Sequence, residues 1–427
     1  MTRFGRTFRL VCDAPATPVV EALLRAQGFD FEPEPFYSFA RRIIHEPFPL
    51  GESLAARFGL IYIQDRSSML PPLALNPPAG ADVLDMCSAP GSKTSLLSRM
   101  VGPQGFVFAS EPSADRLGTL RANLRRTGSV NAATAKAMAQ DLPFADGVWG
   151  HIQLDPPCSG WGTVDKNPKV MEVWSGSKTA PLVSLQKTLL EKAASMLRPG
   201  GTVLYSTCTT NIEENEAQVT WVMETLDLEL APLAEPEGFV FEAPHMPGMD
   251  GVLRVAEDSD GQGFFLAKFI KRGEESATDE PCAQKKELPG NRLNLAKMVG
   301  GDQIDLTRLP PGEVYDFGGK AFFLHQRALD LVPDGLRWQG FPLGKVAGKG
   351  DRAKFTPAPL ARVLLPEDLS RASCDVLDAE DTEILERLFT GQSVGYKQGK
   401  GSVGLYFRGL PVGWMARKGG RLLWSAK

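Results

Sequence analysis

From Ala81 onward the chain alternates two patterns. Short runs rich in β-branched and aromatic residues, Val83-Leu84, Phe106-Val107-Phe108, Ile152-Gln153-Leu154 and Val203-Leu204-Tyr205, read as buried strands, with 263–269 as a last one. Between them Leu96, Leu97 and Met100, then Leu117, Leu120 and Leu124, then Leu182, Leu185, Leu189, Ala193, Met196 and Leu197 recur at helical spacing. Pro199-Gly200-Gly201 is expected to close the last of these helices. Such alternation predicts an α/β, doubly wound Rossmann-like domain over 79–271. Residues 1–78 lack the alternation; they read as a mixed segment that could form a helical lid, with Arg41-Arg42 and a turn at Ser67-Ser68-Met69-Leu70-Pro71. Residues 272–290 are acidic, contain Pro and Ser and are short of large apolar side chains, so they read as a linker to a further region, 291–427.

At 427 residues the chain is too long for one ordinary core, and two or three domains are expected. Its composition, 43% hydrophobic and 23% charged, is that of a soluble globular protein. No stretch reaches the roughly 18 uninterrupted apolar residues of a membrane helix, and residues 1–15 carry no apolar run of signal-peptide length. The cytoplasm is the expected compartment. Cys12, Cys87, Cys158, Cys208, Cys282 and Cys374 are widely spaced, which argues against a disulfide framework. His45, His151, His245 and His325 are isolated from one another, so no metal site is expected.

The net charge of −4 conceals an asymmetry, because residues 291–427 hold 20 Lys and Arg against 15 Asp and Glu, leaving −9 for the rest. Residues 388–427 contain no acid. There Lys397, Lys400, Arg408, Arg417, Lys418, Arg421 and Lys427 are interleaved with Tyr396, Tyr406, Phe407, Trp414 and Trp424. The mixture fits a phosphate-contacting, base-stacking surface for nucleic acid, and equally a small sheet with an aromatic core and solvated bases.

Three strand ends carry candidate chemistry. In Asp85-Met86-Cys87-Ser88-Ala89-Pro90-Gly91-Ser92-Lys93-Thr94 a strand passes through a tight turn into a helix, presenting backbone N–H groups and a positive helix end to an anionic group, plausibly the carboxylate of S-adenosylmethionine. Glu111 stands at the end of the next strand, where an acid reaches ribose hydroxyls, and also where it would simply answer a helix dipole. Asp141, after a weak strand, could accept from an adenine amino group or be an ordinary loop acid. Asp155-Pro156-Pro157-Cys158 ends another strand rigidly, since two prolines cannot continue a central ladder. An acid, two prolines and an aromatic would suit amino-group methylation of bases; Cys158 takes the aromatic's place. Cys208 ends a further strand after Ser206-Thr207. Carbon 5 of a pyrimidine becomes nucleophilic only after something adds to carbon 6, and a thiolate adds and leaves well. Two thiols at one methyl-donor site therefore imply covalent pyrimidine methylation. Either cysteine could instead be a small buried hydrophobe, and Cys87 reads as packing.

Together with Tyr205-Ser206-Thr207-Cys208-Thr209, Asn211 and Glu213-Glu214-Asn215-Glu216, these motifs resemble the RNA cytosine-5 methyltransferases of the nucleolar-protein/Sun family. The resemblance covers roughly 59–271 and includes Tyr62-Ile63-Gln64-Asp65-Arg66-Ser67-Ser68-Met69. It implies that Cys208 is the nucleophile, that Cys158 helps release the product and that Asp155 bonds the cytosine edge, with Lys93 orienting the base. Ser88, Ala89, Pro90, Gly91, Ser92, Lys93, Thr94, Glu111 and Asp141 would hold the donor, with Asp155 also on that side. The residues themselves do not choose between the two thiols. A weaker resemblance joins Gly395-Tyr396-Lys397, Gly399-Lys400-Gly401 and Leu410-Pro411-Val412-Gly413-Trp414 to the PUA-like RNA-binding region of bacterial small-subunit rRNA methyltransferases of the RsmF (YebU) type, in which Leu-Gly-Trp-Gly-Lys is usual. It implies an α+β C-terminal region and small-subunit (16S) rRNA, or the assembling subunit, as partner. A tRNA substrate, or a non-catalytic role in ribosome assembly, would use the same RNA-binding features.

Overall fold

The computed structural model describes residues 5–425 apart from 166, 258, 274–287, 349–352, 397–398 and 400. Most of the expected linker, Cys282, and the bases Lys397, Lys400 and Lys427 lie outside the described residues. The N-terminal segment forms a four-stranded antiparallel sheet of β1 (Thr7–Leu10), β2 (Asp30–Pro33), β3 (Ala40–His45) and β4 (Ile61–Ile63), ordered β2-β3-β1-β4. Helix α1 (Thr17–Ala26) buries Val20, Leu23 and Leu24, and the short α2 (Leu54–Arg57) follows. The expected turn at Ser67 to Pro71 is instead part of a helix, α3 (Arg66–Leu75), capped by the Asp65 carboxylate on the Ser67 N–H at 3.0 Å. Pro72 has no N–H for the Ser68 carbonyl, but the Gln64 side chain donates to it at 2.9 Å. Burial of Met69, Leu70 and Leu75 offsets the lost helix bonds.

The alternating region gives β5 (Asp82–Asp85), α4 (Ser92–Val101), β6 (Phe106–Ser110), α5 (Ala114–Thr127), β7 (Ala132–Ala135), β8 (Trp149–Leu154), α6 (Val170–Val173), α7 (Ala180–Met196), β9 (Leu197–Thr207), α8 (Glu216–Thr225), β10 (Leu228–Ala231), β11 (Phe241–Glu242), β12 (Leu253–Val255) and β13 (Phe264–Lys271). They form a mixed sheet ordered β11-β12-β13-β9-β8-β5-β6-β7, with β10 on β13. Strands β9, β8, β5, β6 and β7 are mutually parallel and β13 is antiparallel to β9. Strand order reverses at β5, so the loops after β5, β8 and β9 open on one edge where ligands of such sheets bind. The core is Phe106, Phe108, Trp149, Ile152, Leu154 and Tyr205 between the helices. Helix α7 stops at Met196, earlier than Pro199-Gly200-Gly201. Leu197 already pairs with Trp149, and Pro199 holds Arg198 extended.

The last region builds two five-stranded sheets. One contains β14 (Asn291–Leu293), β15 (Gly312–Asp316) and β16 (Lys320–His325), then, past α9 (Gln326–Leu331) and β17 (Trp338–Gln339), β18 (Phe341–Ala347) and β19 (Lys354–Pro357). The other contains β20 (Asp375–Ala379) and, after α10 (Glu383–Phe389), β21 (Val394–Gly395), β22 (Val403–Phe407), β23 (Leu410–Lys418) and β24 (Arg421–Leu423), ordered β20-β22-β23-β24-β21. Strand β17 leaves its neighbours to pair with β7, extending the central sheet to ten strands. Tyr406, Phe407 and Trp414 are buried; the Tyr406 hydroxyl donates to Pro366 O at 2.9 Å and the Trp414 indole N–H to Ala361 O at 3.0 Å. These aromatics are core and not a stacking surface, because both faces of β22 and of the middle of β23 are covered, Tyr406 and Trp414 packing in one cluster and Phe407 in another. Arg417 pairs with Asp375, whereas Arg408, Lys418 and Arg421 are exposed. No helix among the described residues is long and apolar enough to cross a membrane.

Candidate active site

Strands β5, β8 and β9 end at Asp85, Leu154 and Thr207, so the segments carrying Ser88, Cys158 and Cys208 leave neighbouring strands together. The Cys158 and Cys208 sulfurs lie 3.4 Å apart, in hydrogen-bond contact and not in a disulfide. Lys93, from the first turn of α4, reaches the same point and its Nζ donates to Asp155 Oδ2 at 2.8 Å. Ser206 Oγ donates to Asp155 Oδ1, also at 2.8 Å, fixing that carboxylate between the two cysteine segments. Burial opposes the Lys93 charge, but Asp155, through its charge and hydrogen bond, outweighs it and raises the ammonium above its ordinary value.

The thiols are electrostatically unequal. Cys208 is held below the usual thiol range, chiefly by the hydrogen bond from Cys158, against burial and Asp155 and with help from Lys93. Cys158 is pushed well above that range by the same bond, by burial, and by the nearby Cys208, Asp155 and Glu214 charges. The contact between the two sulfurs, with Lys93 acting on Cys208 and Glu214 on Cys158, favours a thiolate on Cys208 over one on Cys158.

Glu214 is fully buried and was not singled out from the sequence beyond its place in a motif. Its Oε2 accepts from the Ser159 N–H at 3.0 Å and from Gln186 Nε2 at 2.9 Å, and its Oε1 from Asn211 Nδ2 at 3.0 Å. Ser159 and Thr209 hydroxyls meet at 2.7 Å, and the Gly162 N–H donates to Cys208 O at 3.1 Å. The two cysteine segments are thus tied together through polar bonds. A buried carboxylate in a sequence is invisible until its partners are known, because acids are rarely buried unless paired. Glu216 and Arg254, paired at 3.0 Å and also buried, brace the same segment from β12.

On the donor side, Gly91 has φ +100° at the start of α4, and a Cβ there would lie 2.8 Å from Leu120 Cδ1. Only glycine allows that turn, which leaves the first-turn N–H groups of α4 facing outward. Ser88 Oγ donates to Asp85 O, and Thr94 Oγ1 donates to Asp85 Oδ2 at 2.6 Å. Burial pushes the Asp85 carboxyl up to about 6, moderated by Thr94 and Lys93. Ala89 O accepts from Arg116 and Pro90 O from Asn123, while Arg9 bonds Ser92 O, so the whole loop is fixed. Glu111 is buried at the end of β6; its Oε1 accepts from the Ser113 N–H at 2.9 Å and its Oε2 lies 3.2 Å from Arg116. A carboxylate has about four lone-pair positions, so this arrangement still leaves acceptors for two hydroxyls. Asp141 is exposed at the end of the turn Ala139–Asp141, one strand further along the same edge. Cys87 packs against the central core, and burial pushes its ionisation up. The residues present therefore fit an adenosyl donor with a carboxylate tail. Among the described residues no group of three or more His, Cys, Asp or Glu could hold a metal.

A family model described as 16S rRNA methyltransferase RsmB/F matches residues 72–270. The chain is similar to Ribosomal RNA small subunit methyltransferase F of Salmonella typhi, 36% identical over 361 residues, covering 74% of this chain and 72% of the relative. Among solved structures, a methyltransferase homologue from Pyrococcus horikoshii superposes with a TM-score of 0.53 at 31% identity, over 63% of this chain and 87% of that one. NSun6 from Pyrococcus horikoshii gives 0.55 at 21% identity, over 63% and 91%, a likeness of fold.

Proposed function

The chain belongs to the RsmB/F family of 16S rRNA methyltransferases, and on that footing we propose that it transfers a methyl group from S-adenosylmethionine to carbon 5 of a cytosine in small-subunit rRNA, through a covalent bond to Cys208. The observation that carries the covalent route is the thiol pair 3.4 Å apart with Lys93 and Asp155 beside it. S-adenosylmethionine, held by Ser88 to Thr94, Glu111 and Asp141, supplies an electrophilic methyl group. The Cys208 thiolate adds to carbon 6, and the displaced ring electrons make carbon 5 nucleophilic. Asp155, clamped by Lys93 and Ser206, accepts from the amino and ring-nitrogen edge once that edge carries a proton, and the Lys93 ammonium offsets the negative charge that addition places on the ring. Carbon 5 takes the methyl group, the donor being left as the neutral thioether; the carbon 5 proton then passes to water, the carbon 5–carbon 6 double bond re-forms, and the carbon 6–sulfur bond breaks with its electron pair returning to Cys208. Cys158, by donating to that sulfur, makes it a better leaving group.

The fold supports assigning 79–271 to this chemistry and 1–78 and 291–427 to holding RNA, the latter as a PUA-like region, in a cytoplasmic protein. The target must leave its stack to reach the thiols, at a cost of roughly a few kcal/mol. Bisulfite sequencing of 16S rRNA and tRNA from a strain lacking the protein tests the reading. The expected result is loss of 5-methylcytosine from 16S rRNA, restored by the wild-type chain and not by Cys208→Ala. An unchanged 16S map overturns it, and a loss confined to tRNA moves the substrate.

A further inference from the structure

A cavity of about 630 Å³ opens where the N-terminal sheet, the end of α5 and the C-terminal sheet meet. Its walls carry Arg57, Arg125 and Arg126 together with Tyr62, Phe389 and Trp424, and no carboxylate lines it among the described residues. Two arginines at the end of a helix ordinarily offset its dipole. Here a third comes from the opposite wall, so three cations from two elements converge on one space without acids. Arg57 Cζ lies 5.6 Å from the Phe389 ring centre, and Phe389 and Trp424 are 5.4 Å apart. The walls are fixed: a Cβ on Gly59 would come within 2.0 Å of Arg126 O, so sheet and helix meet backbone to backbone.

Tyr62 connects this cavity to the donor loop. Arg9 covers one face of its ring at 5.0 Å and also donates to Ser92 O at 3.3 Å, while its hydroxyl accepts from Asn123, whose amide donates to Pro90 O at 2.9 Å. Resting on the RNA methyltransferase reading above, we propose that this cavity receives a single-stranded segment of the substrate RNA flanking the target cytosine. The three guanidinium groups bind its phosphates and the aromatic rings stack a base. The volume falls within the roughly 300–1,000 Å³ of small-ligand sites, room for a nucleotide or two and not for a duplex. Because the walls come from all three regions of the chain, the cavity sets the register of the RNA relative to the thiols, a task a lone basic patch could not perform.

The test uses the full chain and 16S rRNA from a strain lacking the protein, with RNA binding measured by filter retention at several salt concentrations and methyl transfer measured separately. Arg57→Gln, Arg125→Gln and Arg126→Gln combined should weaken binding roughly tenfold to a hundredfold at low salt and flatten the salt slope by about 0.7 per lost phosphate contact. The RNA concentration for half-maximal methylation should rise much more than the saturated rate falls, with donor affinity and melting temperature unchanged. Should the triple variant fold poorly, Arg126→Gln alone, at an exposed position, should show one contact's share of the slope change. Lys297→Gln, Lys354→Gln and Arg371→Gln together remove the same charge outside the cavity and should leave affinity and slope near wild type. Unchanged binding and slope in the cavity variants, or an equal loss in the outside variants, would overturn the proposal. Failure of the underlying reading is distinguishable, since then the wild-type chain would transfer no methyl group to this RNA.

Discussion

Two thiols 3.4 Å apart could form a disulfide, bind a soft metal or divide a nucleophilic reaction between them, and their neighbours decide which. The hydrogen bond between the thiols, helped by Lys93, lowers the cost of a thiolate on Cys208, while that bond, burial and Glu214 raise it on Cys158; Asp155 raises it on both. Both cysteines, Asp155 and the donor loop were legible in the sequence, because each follows a strand end and its residue type is chemically costly to place by accident. The choice between the thiols was not, since it depends on the contact of two sulfurs 50 residues apart in the chain and on Lys93 and Glu214, which are 62 and 56 residues from Asp155 and Cys158. Glu111 is a mixed case: it lies beside the N-cap Ser113 of α5, accepts from its N–H and pairs with Arg116, and retains free acceptor positions. A charge-assisted hydrogen bond to ribose hydroxyls is worth roughly 1.5–3 kcal/mol. Glu111→Ala should therefore weaken S-adenosylmethionine binding about tenfold to a hundredfold by calorimetry. An unchanged dissociation constant would leave Glu111 with the role of bracing the start of α5 alone.

Strands and amphipathic helices of the central sheet were readable because burial on both faces produces runs, and burial on one face produces helical spacing. Element ends were less so. The run Ser67-Ser68-Met69-Leu70-Pro71 suggests a turn, yet a side chain, Gln64, takes up one orphaned carbonyl and buried apolar contacts hold the helix. At this scale the placement of Cys208 depends on close approach of three segments: a Cβ on Gly162 would lie 2.3 Å from Gly263 O and 3.0 Å from Cys208 O. These are backbone atoms and cannot swing aside. Gly162→Ala should displace the Cys208 segment, and a displacement of about 1 Å can cost roughly a hundredfold in rate. Donor binding should persist, because the loop after β5 is not touched. A wild-type turnover number for Gly162→Ala would show that the three-segment contact does not position the thiol.

The regions of the chain are joined more closely than a linker reading suggests. Arg362 donates to Phe58 O at 2.6 Å, Gly59 O at 3.1 Å and Thr127 O at 3.3 Å, Arg327 bonds Asp82, and Phe58 packs edge-on against Phe389 and Trp424. Composition showed a basic, aromatic C-terminus but could not say that Trp414 and Tyr406 are core, since the packing that covers both faces of β22 and β23, and not residue type, decides what meets water. Removing everything after Gly290 would expose Phe58 and the edge of β7. Losing several such contacts, at about 1.5–3 kcal/mol per buried aromatic, should lower the melting temperature by roughly 10 °C or more. A truncated chain that melts like the full one would instead mark the C-terminal region as an independently folding module.

Covalent capture of RNA by Cys208, and its release with the help of Cys158, can be observed directly. The direct measurement is denaturing gel electrophoresis of the purified chain incubated with S-adenosylmethionine and radiolabelled 16S rRNA from a strain lacking the protein. Cys158→Ala should retain a protein–RNA species that survives denaturation, whereas Cys208→Ala and the double substitution should retain none. A covalent species that persists without Cys208, or its absence from Cys158→Ala while methyl transfer proceeds at the wild-type rate, would contradict the account.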